Sequence, residues 1–413
     1  MTVLQQFSAE GLILRYAPRK AVLALALGLA TTASFGAAYG GPVKVLYSFK
    51  GGTDGAIGQS ALISDNEGNL YGTTATGGSS GCNGRGCGTV FRLSPDGTET
   101  VLYAFRGGSD GSGPLAVSRD RAGNLYGVTH WGGDTAGQGR GTVFRLAPDG
   151  TETLLHIFRG GADGAYPLAG LLVDKSGNLF GTTVGGGNPF CETFDGCGTI
   201  FRISPDGKKS LVYSFCAQPN CADGLQPQSQ LIADREGNLY GTTVSGGSNV
   251  VGGTVFRIAP DRTETVLYSF CSTGNMCTDG AEPYTGVTMD KTGNLYGTTY
   301  WGGAWDYGSI FELANDGTET VLHSFLPQTD GANPVSGVIV DAAGSLYGTL
   351  PLYTFCKNRL SIVYRLSPNG GEKLRCVNSN VEAGLLERDS VLYGAGESGG
   401  KYGEGFVFAI KKQ

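Results

Sequence analysis

Residues 68–74 read GNLYGTT and residues 88–98 read GTVFRLSPDGT, and this pair of phrases recurs along the chain. Each repeat contains four short apolar, β-branched or aromatic runs separated by turn residues, which is the pattern of β-strands. The aromatic residue of the first phrase falls at Tyr71, Tyr126, Phe180, Tyr240, Tyr296, Tyr347 and Tyr393. Four-stranded units repeated at this period predict an all-β fold, a β-propeller.

The turns between the third and fourth runs support this interpretation. Asp-Gly occupies this position at Asp96, Asp206 and Asp316, and Arg262 takes the place of the glycine once. Asp-Gly between two apolar runs favours a tight hairpin, because glycine adopts positive φ without steric cost. The third and fourth runs of each unit are therefore predicted to be adjacent antiparallel strands.

The two ends of the repeat array predict how the ring closes. The last unit stops after its third run, residues 406–410, whereas residues 43–49, VKVLYSF, form a fourth run that belongs to no unit. This strand can complete the last blade, and closure removes exposed sheet edges. We therefore predict a single seven-bladed β-propeller of four-stranded blades over residues 39–413, closed by strand 43–49.

Residues 1–38 have the pattern of a signal peptide. Arg15, Arg19 and Lys20 form a basic region, residues 21–30 are apolar, and residues 36–38 are small. The apolar stretch is short for a membrane span, so cleavage is favoured over a retained N-terminal anchor. The expected location is secreted or periplasmic, with the cell surface as a further option.

The charge of the chain limits its partners. The formal net charge is −6, and the sequence contains no basic cluster outside the leader. Nucleic acids and anionic membranes need a basic footprint, so neither is expected as a partner. We expect a monomer with no cofactor, whose partner is an extracellular carbohydrate or protein.

Ten cysteines behind a signal peptide favour disulfides. Zinc binding by the closely spaced pairs is the alternative, but tetrahedral zinc needs four ligands and the chain has only three histidines. No metal site is assigned. The predicted pairs are Cys82 with Cys87, Cys191 with Cys197, Cys216 with Cys221, Cys271 with Cys277, and Cys356 with Cys376.

The loops between runs two and three, and those from run four into the next blade, vary in length and share one face. They carry every cysteine and all three tryptophans. Variable aromatic loops on a rigid scaffold are typical of a binding surface. For Trp131 and Trp301, packing between blades is the favoured interpretation, and Trp305 is the more favoured contact residue because it lies deeper in its loop. The candidate ligand-binding residues are His130, Trp131, Tyr300, Trp301 and Trp305.

Two further patterns in the sequence could supply a cation site or a catalytic base. An aspartate precedes most blades, and these residues could form a ring of cation ligands near the bore, although capping of their own turns is favoured. His130 is the one loop histidine and could act as a general base. No catalytic motif accompanies it, so no catalytic residue is assigned. The aspartates are Asp54, Asp110, Asp163, Asp223, Asp279 and Asp330.

The phrases at residues 68–74 and 88–98 resemble the bacterial extracellular repeat called GloVer, found in choice-of-anchor tandem repeat proteins. The resemblance covers nearly the whole chain after the leader, although residues 344–345 and 388–390 depart from the Gly-Asn turn. It implies an exported, propeller-shaped repeat protein of unsettled function. It supplies no catalytic residues.

Three functions follow as hypotheses. The leading one is a propeller that binds an extracellular carbohydrate or protein through its variable loops. The alternative is a polysaccharide lyase or hydrolase, with acids in the bore and His130 assisting. The third is a structural cell-surface protein. An enzyme is less favoured than a binding protein, since the fold alone decides no chemistry.

Overall fold

The computed structural model describes residues 42–134, 139–191, 195–272, 276–353 and 360–412. These residues fold into seven antiparallel sheets, one for each predicted blade, and together they confirm the seven-bladed β-propeller. Short 3-10 turns lie at Gly52–Asp54, Gly108–Asp110, Gly161–Asp163 and Pro219–Cys221. No helix in the described residues is long and apolar enough to cross a membrane.

The strands follow the predicted runs in chain order. The strands of blades 1 to 3 after the closing strand β1 (Lys44–Ser48) are β2 (Ala56–Gly58), β3 (Ile63–Ser64), β4 (Leu70–Thr76), β5 (Thr89–Leu93), β6 (Glu99–Ala104), β7 (Ser112–Arg119), β8 (Leu125–Trp131), β9 (Thr142–Leu146), β10 (Glu152–Ile157), β11 (Leu172–Val173), β12 (Leu179–Thr183), β13 (Thr199–Ile203) and β14 (Lys209–Ser214). The strands of blades 4 to 7 are β15 (Ile232–Ala233), β16 (Leu239–Thr243), β17 (Thr254–Ile258), β18 (Glu264–Ser269), β19 (Thr288–Met289), β20 (Leu295–Thr299), β21 (Ser309–Leu313), β22 (Glu319–Ser324), β23 (Ile339–Val340), β24 (Leu346–Tyr353), β25 (Leu360–Leu366), β26 (Glu372–Val377), β27 (Leu386–Arg388), β28 (Val391–Gly396) and β29 (Phe406–Lys411).

The two recurring phrases are cross-strand partners. In blade 1, Tyr71 pairs with Arg92 and Gly72 pairs with Phe91, and the same register recurs in the other blades. A Cβ atom at Gly72 would lie 2.8 Å from the Phe91 ring. The glycine of the first phrase therefore makes room for the phenylalanine of the second, which explains why the two repeat together.

The hydrophobic core lies between neighbouring blades. At five of the seven junctions a phenylalanine at the end of the outer strand packs against the third-strand phenylalanine of the next blade, as Phe105 does edge-on against Phe144, with ring centroids 5.1 Å apart. Both rings are almost fully buried. Because edge-to-face aromatic pairs stabilise beyond their buried area, by about 0.5–1.5 kcal/mol each, these contacts hold blade to blade.

The predicted ring closure is confirmed. Strand β1 pairs antiparallel with β29, placing Lys44 opposite Ala409, and thereby becomes the outer strand of blade 7. Phe49 then packs on Phe91 of blade 1, with ring centroids 5.2 Å apart, so the closing strand joins blade 7 to blade 1. The closing strand therefore contributes both a ladder and an interblade contact.

The first strands of neighbouring blades contact one another, which places them at the centre of the ring. Each first strand has an inward apolar residue, and in six blades the residue just before it is small. In blade 3 that small residue is Gly170, which lies against Ala116 and the side chain of Gln230. Small side chains allow these strands to approach closely. The seven equivalent residues are Ala61, Ala116, Gly170, Gln230, Gly286, Gly337 and Gly384.

Candidate functional site

Two kinds of loop divide the ring into two faces. On one face the first and second strands of a blade are joined by short turns, such as the turn in which Asp65 Oδ1 accepts hydrogen bonds from the backbone N–H groups of Glu67 and Asn69. The opposite face carries the loops between second and third strands and the connections between blades. We call this opposite side the variable-loop face.

Disulfides brace the variable-loop face as predicted. The bridges are Cys82–Cys87, Cys191–Cys197, Cys216–Cys221 and Cys271–Cys277. Cys376 is also disulfide-bonded, and its predicted partner Cys356 lies outside the described residues. Cys191, Cys216 and Cys221 come together, but a sulfur in a disulfide is not a thiolate, so this group is no zinc site.

Blade 2 presents an aromatic group on the variable-loop face. The rings of His130 and Trp131 are 4.2 Å apart between centroids, and Tyr166 from the next interblade loop lies 5.5 Å from Trp131, edge-on. Trp131 is 51% exposed. The interpretation that it packs between blades is therefore wrong, and one surface of its indole faces solvent.

His130 is held in place rather than free. Its Nδ1 lies 3.3 Å from the carbonyl oxygen of Pro167, so an Nδ1–H tautomer donates to that carbonyl and leaves Nε2 as an acceptor. Burial lowers the pKa of His130 and outweighs this hydrogen bond. The imidazole is therefore neutral at neutral pH and offers a hydrogen-bond acceptor beside Trp131.

Blade 5 carries a related aromatic group at the equivalent position, although its third ring, Tyr284, comes from the preceding interblade loop and contacts Tyr300 rather than the tryptophan. Tyr300 lies 5.1 Å from Trp301 and 5.1 Å from Tyr284 between ring centroids. Paired backbone hydrogen bonds between Ala281 and Trp301 fix the loop that carries the indole. Trp301 is 38% exposed and Trp305, further along the same loop, is 56% exposed. The expected burial of Trp301 between blades is also wrong.

The five predicted ligand-binding residues form two groups rather than one pocket. His130 and Trp131 belong to blade 2, whereas Tyr300, Trp301 and Trp305 belong to blade 5. Both groups lie on the variable-loop face, at equivalent positions of blades three steps apart. A ligand that touched both would have to extend over the face of the ring.

Sequence reasoning missed a polar group at the same position of blade 7. Glu397 is the repeat equivalent of His130 and Tyr300, and Asn380 Nδ2 donates hydrogen bonds of 2.9 Å to both Glu397 Oε2 and Glu382 Oε1. Burial, followed by the negative charge of Glu382, raises the pKa of Glu397 to about 7. The sequence contained a signal for this group, because Glu397 places a carboxylate where the other repeats have an aromatic or apolar residue.

The repeated aspartates cap their own turns, as favoured. Asp54, for example, accepts hydrogen bonds from the Tyr47 hydroxyl at 2.6 Å and the Lys50 backbone N–H at 2.7 Å. Since Tyr47 belongs to an outer strand, these carboxylates lie where outer strands of neighbouring blades meet. The less favoured alternative, a ring of cation ligands near the bore, is therefore wrong.

A second charged side chain accompanies the aspartate at these outer junctions. Between blades 4 and 5 the Tyr268 hydroxyl donates to Asp279 Oδ2 at 3.0 Å, and burial followed by the charge of Asp279 raises the pKa of Glu319 to about 7. Between blades 2 and 3, Lys209 takes the place of the glutamate and binds Asp163. The junctions thus differ in how they balance charge.

Solved structures resemble the ring as a fold. A fungal alcohol oxidase of the AA5 family, solved with copper, matches 91% of this chain and 76% of its own, at 13% identity and a TM-score of 0.51. A gluconolactonase from Xanthomonas campestris matches 91% of this chain and 92% of its own, at 15% identity and a TM-score of 0.44. At such identities the likeness concerns the fold alone. No curated protein matches the chain.

The repeat itself has been described as a family. A family model for the Gloeobacter/Verrucomicrobia repeat matches residues 33–189, 81–278 and 253–413, which together span all seven blades. The matched segments contain the paired phrases that set the register of the second and third strands. The chain therefore belongs to the Gloeobacter/Verrucomicrobia repeat family.

Proposed function

We propose that this protein is an extracellular binding propeller that holds a carbohydrate on its variable-loop face. The observation that carries the proposal is the pair of equivalent, solvent-facing indoles, Trp131 and Trp301, each braced by neighbouring aromatic rings. Bridged loops support an oxidising location, because disulfides persist outside the cytosol.

Carbohydrate suits these groups better than an apolar ligand. A sugar ring has an apolar face that stacks on an indole and a rim of hydroxyls that needs hydrogen-bonding partners. Beside Trp131 the neutral His130 offers an acceptor, and the loop of Trp301 carries Asp306, which accepts from the Gly302 backbone N–H. The spacing of the groups over two blades favours a polymer rather than a single sugar.

Affinity electrophoresis through a panel of soluble polysaccharides tests the proposal. We expect at least one glycan to retard the purified, oxidised protein, and we expect Trp131→Ala and Trp301→Ala each to reduce the retardation several-fold. Both indoles are partly exposed, so the variants should retain the wild-type unfolding temperature. Val250→Ala, which removes an exposed apolar side chain from the same face, is the matched control and should migrate as wild type.

The outcomes separate the proposal from its rivals. Retardation that persists in the Trp131→Ala, Trp301→Ala double variant would place the sugar elsewhere. If no glycan retards the wild type, the carbohydrate proposal is wrong. A protein partner then becomes the better explanation, since Phe190 and Met276 are also highly exposed on this face.

A polysaccharide-cleaving enzyme is the second candidate, favoured by the acids of blade 7. Glu382 and Glu397 are bridged by one amide nitrogen, and a carboxyl with a raised pKa paired with a second carboxyl is the arrangement that glycoside hydrolysis uses. Staining the same gels for polysaccharide would show clearing around the band. Clearing that Glu397→Gln abolishes would establish the enzyme, and intact polysaccharide around a retarded band would support binding alone.

A further inference from the structure

The outer junctions between blades share one electrostatic design. An interblade aspartate lies beside the first residue of the following outer strand, and that residue is acidic in five junctions and basic in one. The first residues of these outer strands are Glu99, Glu152, Lys209, Glu264, Glu319 and Glu372. Two carboxylates at close range repel each other when both are ionised, so the pair is relieved either by a cation or by a shared proton.

Two junctions supply that charge from the chain. Lys209 Nζ donates to Asp163 Oδ1 at 2.7 Å and to the carbonyl oxygen of Asp163 at 2.5 Å, with its side chain nearly buried. In the junction between blades 5 and 6, His323 Nε2 lies 2.5 Å from Asp330 Oδ2 and 3.7 Å from Glu372 Oε1. A basic side chain thus occupies the space beside the aspartate in both.

Among the described residues, the junction between blades 4 and 5 has acids and no such basic side chain. Tyr268 stands where the other two junctions have histidine, and Glu319 stands where blade 3 has Lys209. Asp279 is only 7% exposed. Within the part of the chain that the structure describes, neither Asp279 Oδ1 nor Glu319 Oε1 has a hydrogen-bond partner. Buried carboxylate oxygens without partners are costly, so this space calls for a positively charged occupant.

We propose that the junction between blades 4 and 5 binds a calcium ion through the carboxylates of Asp279 and Glu319. The oxygen-only donor set of the two carboxylates and the Tyr268 hydroxyl suits a hard cation that accepts six to eight oxygens, with water completing the shell. The ion takes the place that the Lys209 ammonium has at the equivalent junction. It ties the outer strands of two blades together at the outer edge of the variable-loop face, because Asp279 belongs to the connection between blades 4 and 5.

The substitution Glu319→Lys tests the site, because it gives blade 5 the lysine that blade 3 has at Lys209. We expect the chelator-treated wild-type protein to regain calcium on dialysis and to unfold at a higher temperature with calcium than without it. Glu319→Lys should bind one calcium ion fewer, measured by equilibrium dialysis and elemental analysis. In the absence of calcium it should unfold at a higher temperature than wild type. Glu236→Lys, an exposed site with the same charge change, should bind as many ions as wild type.

A second variant, Glu319→Gln, removes the negative charge without introducing the longer lysine side chain. It retains the shape of the side chain and should also bind one calcium ion fewer. An unchanged calcium count in both variants would overturn the proposal. A wild-type protein whose unfolding temperature ignores calcium but rises on mild acidification would equally overturn it, because a shared proton would then occupy the junction.

Discussion

At the residue scale, Arg262 shows how one position departs from the repeat. It occupies the turn position that glycine has in other blades and adopts φ of 73°, close to the 82° of Gly207 in blade 3. The left-handed region costs a residue with a Cβ roughly 1–2 kcal/mol. In return, Arg262 Nη1 donates a 3.2 Å hydrogen bond to the carbonyl oxygen of Leu211 in the neighbouring blade.

Replacing Arg262 with glycine should therefore stabilise the protein. The relief of backbone strain exceeds the loss of one exposed hydrogen bond, which contributes about 0.5–1 kcal/mol, so we expect a net gain of about 0.5 kcal/mol in the free energy of unfolding. Urea unfolding measures it. The converse change, Gly207→Ala, adds a Cβ that would contact nothing, and should cost about 1 kcal/mol through φ alone. A destabilised Arg262→Gly variant would show that the interblade hydrogen bond dominates.

At the element scale, the hairpin between first and second strands depends on one aspartate. In blade 4, Asp234 Oδ1 accepts from the Asn238 backbone N–H at 2.9 Å, and Oδ2 accepts from Asn238 Nδ2 at 2.7 Å and the Tyr240 hydroxyl at 2.9 Å. Blade 7 solves the same turn differently. There Asp389 and Ser390 both have positive φ and form a two-residue hairpin, consistent with its departure from the Gly-Asn phrase.

These turns predict acid sensitivity with a definite sign. Burial raises the pKa of the Asp234 carboxyl, but the hydrogen bonds from Asn238 and Tyr240 outweigh it and hold the pKa below its ordinary value. A lowered folded-state pKa contributes stability above the unfolded pKa of about 3.9, and that stability is lost as the pH falls through the folded pKa. Asp234→Asn should thus weaken the protein at pH 7, by up to about 1 kcal/mol, given its exposure.

Urea unfolding of wild type and Asp234→Asn at pH 7 and near pH 3 measures this difference. The gap between the two proteins should narrow at the lower pH, because below about pH 3.9 the unfolded chain binds a proton at Asp234 that the folded carboxylate resists. Asp96→Asn offers a comparison with a smaller expected loss. Asp96 lies in an exposed turn, where its carboxyl accepts a hydrogen bond from the Thr98 backbone N–H. A gap that stays constant with pH would mean that shape, not charge, holds the turn.

At the scale of the whole molecule, the sequence predicted what repeats and missed what depends on distant residues. Paired phrases fix the register, so the blades, the closing strand and the local disulfides could be predicted. The contacts at Glu397 could not, because Asn380 comes from another connection of the blade and Gln59 from across the ring closure. The exposure of Trp131 likewise depends on how the next interblade loop positions Tyr166.

Removing residues 43–49 tests the closure directly. Blade 7 would lose its outer strand, and the burial of Phe49 alone is worth roughly 2–3 kcal/mol. We expect the thermal unfolding temperature of a chain beginning at residue 50 to fall by many degrees relative to one beginning at residue 42. A synthetic peptide of residues 43–49 should restore part of the loss. Equal unfolding temperatures for the two chains would contradict closure by this strand.

The pairing of β1 with β29 has a consequence for biogenesis. Within the array of strands, β1 is synthesised first and its partner β29 last. Strand β1 therefore stays unpaired until the entire array has been synthesised. Contacts between residues so far apart in the chain are slow to form, and an unpaired edge invites association with other chains. Newly made protein therefore passes through an open, incomplete ring in which blade 7 is the vulnerable part, and that interval is where a chaperone would be needed.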